Sequence, residues 1–270
     1  MRVLYAFVLC VAAAAAVPAP SPPQSRIVGG STTTISRYPY GAATLYSWDG
    51  SSYWQGCGGA VLTPTAILSA AHCYYFLPGN GVITPSRWRV RVGSTYANSG
   101  GSVFTLRSII MHPNYDSYSN DFDFAILRTV YGIPLTNIVQ QVAIASPTYN
   151  LPDNSPVWAI GWGLTAYQGQ ASEQLKHVEV WTFNQNTCRN RLAQLGYALT
   201  DNMLCSGWLD VGGRGQCNGD SGSPLIHYNQ QGQAVVVGVT SWGIDCATAA
   251  YGSVSARVSR VSVWIQQNAA

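Results

Sequence analysis

The sequence predicts an all-β fold, a sandwich or a barrel, and three observations carry that prediction. Short apolar stretches rich in β-branched and aromatic residues recur along the chain, ended by glycine. Turn signals such as "PGNG", "NSGG" and "LPDN" fall between them. Helical periodicity is scarce.

In chain order, residues 1–16, "MRVLYAFVLCVAAAAA", begin with a positive Arg2, continue apolar and end in small alanines, the pattern of a secretory signal peptide. The run is too short to span a bilayer, and no later segment reaches that length, so no membrane association is expected. Residues 17–26, "VPAPSPPQSR", form an extended, cleavable lead rather than part of a core. "WRVRVGS" alternates, with Val90 and Val92 on one face of a strand. "PVWAIGWG" and "AVVVGVTSWG" are buried-strand runs. One helix is expected at the end, "VSRVSVWIQQNA", where Val258, Val261, Trp264 and Ile265 make an apolar face. The stretch 134–147 is the expected crossing between two halves.

The 270 residues are 47% hydrophobic and 9% charged, which suits a packed globular chain. A net charge of +3 with no basic run gives no support to nucleic-acid binding. Of the positive residues only Lys176 is lysine; the rest are arginine. Lysine loses its charge near pH 10.4 while arginine keeps it, so this bias suits an alkaline fluid, although drift in base composition produces the same bias. Cys10 leaves with the signal, and Cys57, Cys73, Cys188, Cys205, Cys217 and Cys246 remain. An even set in a secreted chain reads as disulfides, with 15 pairings open. No CxxC pair occurs and the four histidines are scattered, so no metal cluster is expected.

Four stretches fall in a telling order: "RIVGG" at Arg26–Gly30, "LSAAHC" with His72, "NDFDFAILR" with Asp123, and "GDSGSP" with Ser221. Together they resemble the trypsin/chymotrypsin family of serine proteases, over nearly all of residues 27–270. "DNMLCSGWLDVGGR" and the "RVSR…WIQ" ending are similar to the alkaline midgut trypsins of moths. The resemblance implies two antiparallel β-barrels side by side with a C-terminal helix. It implies a secreted endopeptidase, digestive in an alkaline gut lumen, monomeric and without cofactor. Protein or peptide substrates, an activating trypsin-like protease and protein protease inhibitors are the partners it implies.

The residue types fit that chemistry. A serine hydroxyl is a weak nucleophile until an imidazole takes its proton, and a carboxylate must hold the imidazole in the right tautomer. Ser221 is the expected nucleophile, His72 the base and then acid, and Asp123 the orienting acid. The amides of Gly219 and Ser221 are the expected oxyanion donors. Asp121, two residues from Asp123, is the local rival; "DFAIL" favours Asp123 and leaves Asp121 as a solvated loop residue. The family also implies a zymogen: cutting after Arg26 frees the amino group of Ile27 to pair with Asp220. The disulfides it implies are Cys57–Cys73, Cys188–Cys205 and Cys217–Cys246. No Asp or Glu occurs from Tyr74 through Tyr115, so a calcium loop is not expected.

The substrate pocket departs from the trypsin pattern. Family members that cut after Arg or Lys carry an Asp six residues before the nucleophile; here Gly215 stands there. An incoming guanidinium would be buried unpaired. Gln216 follows it, Ser241, Trp242 and Gly243 form "SWG", and Ser253 replaces a glycine and narrows the slot. Ser223 also replaces a glycine and changes local packing. The expectation is a modest, uncharged pocket for medium apolar or polar side chains. Without basic specificity the enzyme could not readily cut after its own Arg26. Three alternatives stay open: Asp245 near the mouth restores trypsin-like specificity, the chain is a non-catalytic homologue with a binding or regulatory role, or it is a specialised processing protease. No regulatory domain is visible before Arg26, which favours bulk digestion.

Overall fold

In the computed structural model, residues 27–75 and 84–270 are described; the expected signal segment, the lead ending at Arg26, and the "PGNG" turn lie outside them. A two-residue strand, β1 (Ser31–Thr32), opens the chain, and six strands then close into a barrel. They are β2 (Gly41–Tyr46), β3 (Trp54–Thr63), β4 (Ala66–Ser69), β5 (Trp88–Val92), β6 (Ser102–Met111) and β7 (Ala125–Thr129), in the spatial order β2-β3-β4-β7-β6-β5. Every pairing is antiparallel. The alternation in β5 does what its pattern predicts: Trp88, Val90 and Val92 are buried and the two arginines between them are not.

The second half adds β8 (Ala143–Ile144), β9 (Pro156–Gly161), β10 (Lys176–Thr182), β11 (Met203–Gly207), β12 (Pro224–Tyr228), β13 (Ala234–Gly243) and β14 (Ser253–Arg257). The order β10-β11-β14-β13-β12-β9, with β9 pairing back onto β10, makes a second six-stranded barrel. β1 is added outside β10, and β8 pairs with β13 in parallel. Closure removes the open sheet edges that a sandwich of these short strands would leave. The chain passes from one barrel to the other between Thr129 and Ala143.

Among the described residues three α-helices complete the fold: α1 (His72–Tyr75), α2 (Gln185–Ala193) and α3 (Ser262–Ala269). The expected C-terminal helix begins as a 3-10 turn over Val258–Arg260 and continues as α3, with Val258, Val261 and Ile265 buried and Trp264 partly so. α2 was not anticipated. Its only buried residues are Cys188 and Leu192, too few for a periodic signal. Its start is set instead by Asn184, whose side chain accepts from the amides of Asn186 and Thr187.

The barrels meet along a polar and apolar seam. Val142 donates its amide to Val61 at 3.0 Å, and Gly58 donates to Ser221 at 2.7 Å. Asp121, expected to be solvated, is half-buried in this seam: its carboxylate accepts from Thr200 Oγ1 at 2.6 Å and from Asn202 Nδ2 at 3.1 and 3.2 Å. It therefore ties the first barrel's loop to the second barrel rather than facing water.

Candidate active site

His72 and Asp123 come from neighbouring strand ends of the first barrel. β4 stops at Ser69, the buried Ala70 and Ala71 follow, and His72 opens α1. Asp123 lies two residues before β7, which pairs with β4, so the two strand ends are adjacent. The Asp123 side chain is completely buried. Its Oδ1 accepts from the His72 amide at 2.8 Å, and its Oδ2 lies 2.7 Å from His72 Nδ1. Ser241 Oγ, from β13 of the other barrel, donates to the same Oδ2 at 2.5 Å. Three donors compensate the desolvated carboxylate, as a buried charge requires. A proton on Nδ1 facing this carboxylate leaves Nε2 with its lone pair free.

Ser221 sits in a tight turn before β12. The amides of Asp220, Gly222 and Ser223 donate to the carbonyls of Cys217, Thr240 and Asp220. Among the described residues, the amides of Gly219 and Ser221 meet no backbone acceptor. Gly219 has φ +90, and a Cβ there would come within 3.1 Å of the Gly163 backbone. Gly222 has φ +81, and a Cβ there would overlap Ser69 Oγ at 2.3 Å. Both positions need glycine for conformation and for space. Ser223 is accommodated because its neighbour is Gly58: a Cβ at position 58 would lie 1.9 Å from Ser223 Oγ.

The serine and histidine segments are bonded to one another. The Ser221 carbonyl accepts from Gly58, Gly58 follows Cys57, and Cys57 is disulfide-bonded to Cys73, the residue after His72. Cys188–Cys205 and Cys217–Cys246 are also bonded, so the three pairs implied by the resemblance are the three formed. The one close cluster of potential metal ligands among the described residues is Cys57, His72 and Cys73, and both its sulfurs are spent in the disulfide. Gln55, which no sequence pattern marked, donates from Nε2 to the Gly219 carbonyl at 2.8 Å.

Asp220 is fully buried behind the turn. It accepts from Gly163 at 2.8 Å and from Cys217 at 2.9 Å, yet burial pushes its carboxyl up to about 7. Ile27 is also fully buried, and the next residue, Val28, accepts from the Gly215 amide at 3.2 Å, two residues before Cys217.

A cleft of about 360 Å³ opens beside Ser221, walled by Gln216, Thr240, Ser241, Trp242, Gly243 and Ser253. A Cβ at Gly215 would meet Ser253 Oγ, part of the cleft wall, and the Ala247 backbone at 3.3 Å. Gln216 is 4% exposed, and its Nε2 lies 3.5 Å from Thr240 Oγ1. Asp245 lies at the rim and is exposed. Arg26 falls outside the described residues.

The buried Asp123 bonded to His72 at the seam of two β-barrels, with the Ser221 turn tied to the same seam through Gly58, is an arrangement that suits a serine hydrolase. The family model "Trypsin" matches residues 27–265, and the chain belongs to that family as a serine endopeptidase. It is 54% identical to Trypsin CFT-1 of Choristoneura fumiferana, over the full length of both chains. It is 52% identical to alkaline trypsin C of Manduca sexta, over 98% of this chain and 99% of that protein. It is 50% identical to Achelase-1 of Lonomia achelous, over 80% of this chain and 98% of that protein.

Proposed function

We propose that the chain is a secreted digestive endopeptidase, made as a zymogen, whose pocket accepts uncharged side chains. The observation that carries this reading is the buried Asp123, bonded to His72 Nδ1, beside a cleft that includes Ser221 and whose one lining acid among the described residues, Asp245, is exposed. Ser221 attacks the peptide carbonyl while His72 Nε2 takes its proton and then delivers it to the leaving amine. Asp123 keeps the imidazole in that tautomer and stabilises its charged form. The unpaired amides of Gly219 and Ser221 receive the oxyanion, each worth roughly 3–4 kcal/mol in such sites. Labelling with a fluorophosphonate probe tests the assignment. The activated wild type reacts and Ser221→Ala does not; equal labelling of both would reject Ser221 as nucleophile. No labelling of either would favour a non-catalytic homologue.

Activation follows from Asp220. A carboxyl held up near 7 by burial is a site awaiting a cation. Cutting after Arg26 supplies one, the ammonium of Ile27, at a point already next to the Val28–Gly215 bridge. In this reading residues 1–16 leave as the signal and 17–26 as the propeptide. The two barrels make up the protease domain, 27–270, with the boundary at about 134–147.

The specificity reading rests on where charge is absent. Asp245 does not substitute for an acid at position 215, because it is exposed at the rim. In water its attraction for a cation 4 Å away is about 1 kcal/mol, too little to offset burying a guanidinium. A separate trypsin-like protease is therefore the activator. Lys176 is buried, so the surface cations among the described residues are arginines, which supports work in an alkaline fluid such as a gut lumen. Among the described residues no helix is long and apolar enough to cross a membrane.

A further inference from the structure

Asp121 and Asp123 lie two positions apart, and both reach across the seam. Asp123 takes the Ser241 hydroxyl of β13 at its Oδ2. Asp121 takes the Thr200 hydroxyl at 2.6 Å and Asn202 Nδ2 at 3.1 and 3.2 Å. Asn202 immediately precedes β11, and its carbonyl accepts from the backbone amide of Arg257, the last residue of β14, at 2.7 Å. β11, β14 and β13 are neighbours in the second barrel. One stretch of that barrel's wall therefore grips both acids.

The chain between the two acids is sharply bent. Phe122 has φ +52, a conformation that a bulky residue keeps only when its surroundings impose it. The Phe124 amide donates to the Phe122 carbonyl at 2.7 Å, which puts Asp123 at the apex of a three-residue turn. Contacts on both sides impose this shape. The Phe122 ring stacks on His112, with ring centres 4.7 Å apart. The Asp121 carbonyl accepts from the Asp116 amide at 3.1 Å, while its side chain is held from the second barrel. Thr200 is itself fixed there. Its hydroxyl oxygen accepts from the Asn202 backbone amide at 3.2 Å, and its carbonyl accepts from Gln185 Nε2 of α2 at 2.9 Å.

We propose that Asp121 is a positioning residue for catalysis: by tying its loop to Thr200 and Asn202 it holds the turn over Phe122–Phe124, and so sets where the Asp123 carboxylate meets His72. Asp121 acts through Asp123 and not on the substrate. The bonds to the Asp123 carboxylate orient it only once its backbone is in place, and the bent segment supplies that place. Without the Asp121 anchor, Phe122 relaxes toward an ordinary φ and Asp123, next in the chain, moves with it. The Asp123–His72 Nδ1 bond is 2.7 Å long, so a displacement of about 1 Å takes it beyond hydrogen-bonding distance. This assignment rests on Ser221, His72 and Asp123 acting as set out above.

The test is steady-state kinetics of the activated protein on one chromogenic peptide, with kcat counted per site labelled by the fluorophosphonate probe, so that loss of folded protein is not read as loss of rate. Asp121→Ala is expected to lower kcat by up to roughly 100-fold, the loss that a displacement of that size brings, with KM unchanged. Asp121→Asn keeps an oxygen for Thr200, and the Asn202 side chain can turn to meet the new NH₂, so this variant should recover most of the rate. The low-field proton resonance of His72 Nδ1–H, which reports its bond to Asp123, should shift in Asp121→Ala and return in Asp121→Asn. Thr200→Val breaks the same link from the other barrel. It should lower kcat in the same direction, with no further loss when combined with Asp121→Ala. It also carries the test if Asp121→Ala does not fold. A lower melting temperature with kcat per labelled site and the Nδ1–H resonance both at wild-type values would overturn the positioning role and leave the catalytic reading intact. So would an Asp121→Asn rate no better than that of Asp121→Ala. No cleavage and no labelling in the wild type would overturn the catalytic reading and this one with it.

Discussion

Ser241 reaches across from the second barrel to donate its hydroxyl to Asp123, the buried acid of the first, at 2.5 Å. With the Gly58–Ser221 bond, it locks together two halves that each hold part of the site. The acid and imidazole belong to the first barrel, the serine and slot to the second. Catalysis therefore depends on the seam as much as on either core.

Asp123→Asn should lower kcat about 10⁴-fold near neutral pH with little loss of folding. The amide is nearly isosteric, but its NH₂ or its carbonyl now faces a His72 amide, a Ser241 hydroxyl and an imidazole that all arranged themselves around an acceptor. Stopped-assay kinetics and a thermal melt check it. An Asn variant within tenfold of wild type would mean Asp123 does not orient His72.

Ser241→Ala should cost less, roughly tenfold in kcat, because it removes one donor of three while leaving the His72 contacts. Its effect should vanish in the Asp123→Asn background, since both act through the same oxygen. Full additivity in that double-mutant cycle would contradict the shared role.

Asp220 makes stability depend on pH in a definite direction. In the uncut chain its folded carboxyl lies near 7, above the usual 3.8. A raised acid stabilises the fold fully below its unfolded value, and that stability is lost as pH rises from about 4 through 7. Denaturant melts of the uncut chain should show this decline, and Asp220→Asn should flatten it. In the proposed activation the Ile27 ammonium should pair with Asp220, and its own pKa should rise above the free value of about 7.7–8.0. Activity should therefore persist through that range and fail only as pH passes the raised value. Carbamoylation of the new amino terminus should abolish activity; full activity after complete modification would disprove the pairing.

His177 carries the opposite dependence. Its ring is buried between Trp158 and Tyr38, with Nδ1 2.7 Å from the Tyr38 hydroxyl and Nε2 2.9 Å from Ser31 Oγ. Burial first, then the nearby Arg37 charge, lowers its pKa to about 4. A depressed histidine contributes stability above its unfolded value near 6.5 and loses it as pH falls toward 4. His177→Gln should make the melting temperature less sensitive to pH across that window, though lower at neutral pH. An unchanged slope would assign the acid sensitivity elsewhere.

Much of this was legible in the sequence because the signals were local. The run "AVVVGVTSWG" coincides with β13, Ala234–Gly243, and the alternation of "WRVRV" with β5. The segments holding His72, Asp123 and Ser221 were recognisable together with "RIVGG" in the family's order, where any one alone could be chance. What stayed hidden depended on contacts far apart in the chain. Asp121 looked like a solvated neighbour of Asp123, and only the folded seam brings it to Thr200 and Asn202. Gln55 reaches Gly219 across 164 positions. α2 has too few apolar residues for periodicity, and its capping asparagine is a weak signal by itself.

The most direct measurement of the central claim is kcat/KM on matched chromogenic peptides that differ only in the residue before the cut bond, for wild type, Gly215→Asp and the double variant Gly215→Asp with Ser253→Gly. A Cβ at 215 fits tightly against Ser253, so the second change gives the new carboxylate room. Wild type should favour Leu, Phe or Ala over Arg and Lys, and the double variant should shift toward Arg by roughly 100-fold or more, since a buried ion pair then replaces an unpaired charge. Arg and Lys substrates outrunning the uncharged ones on the wild-type protein would contradict the account.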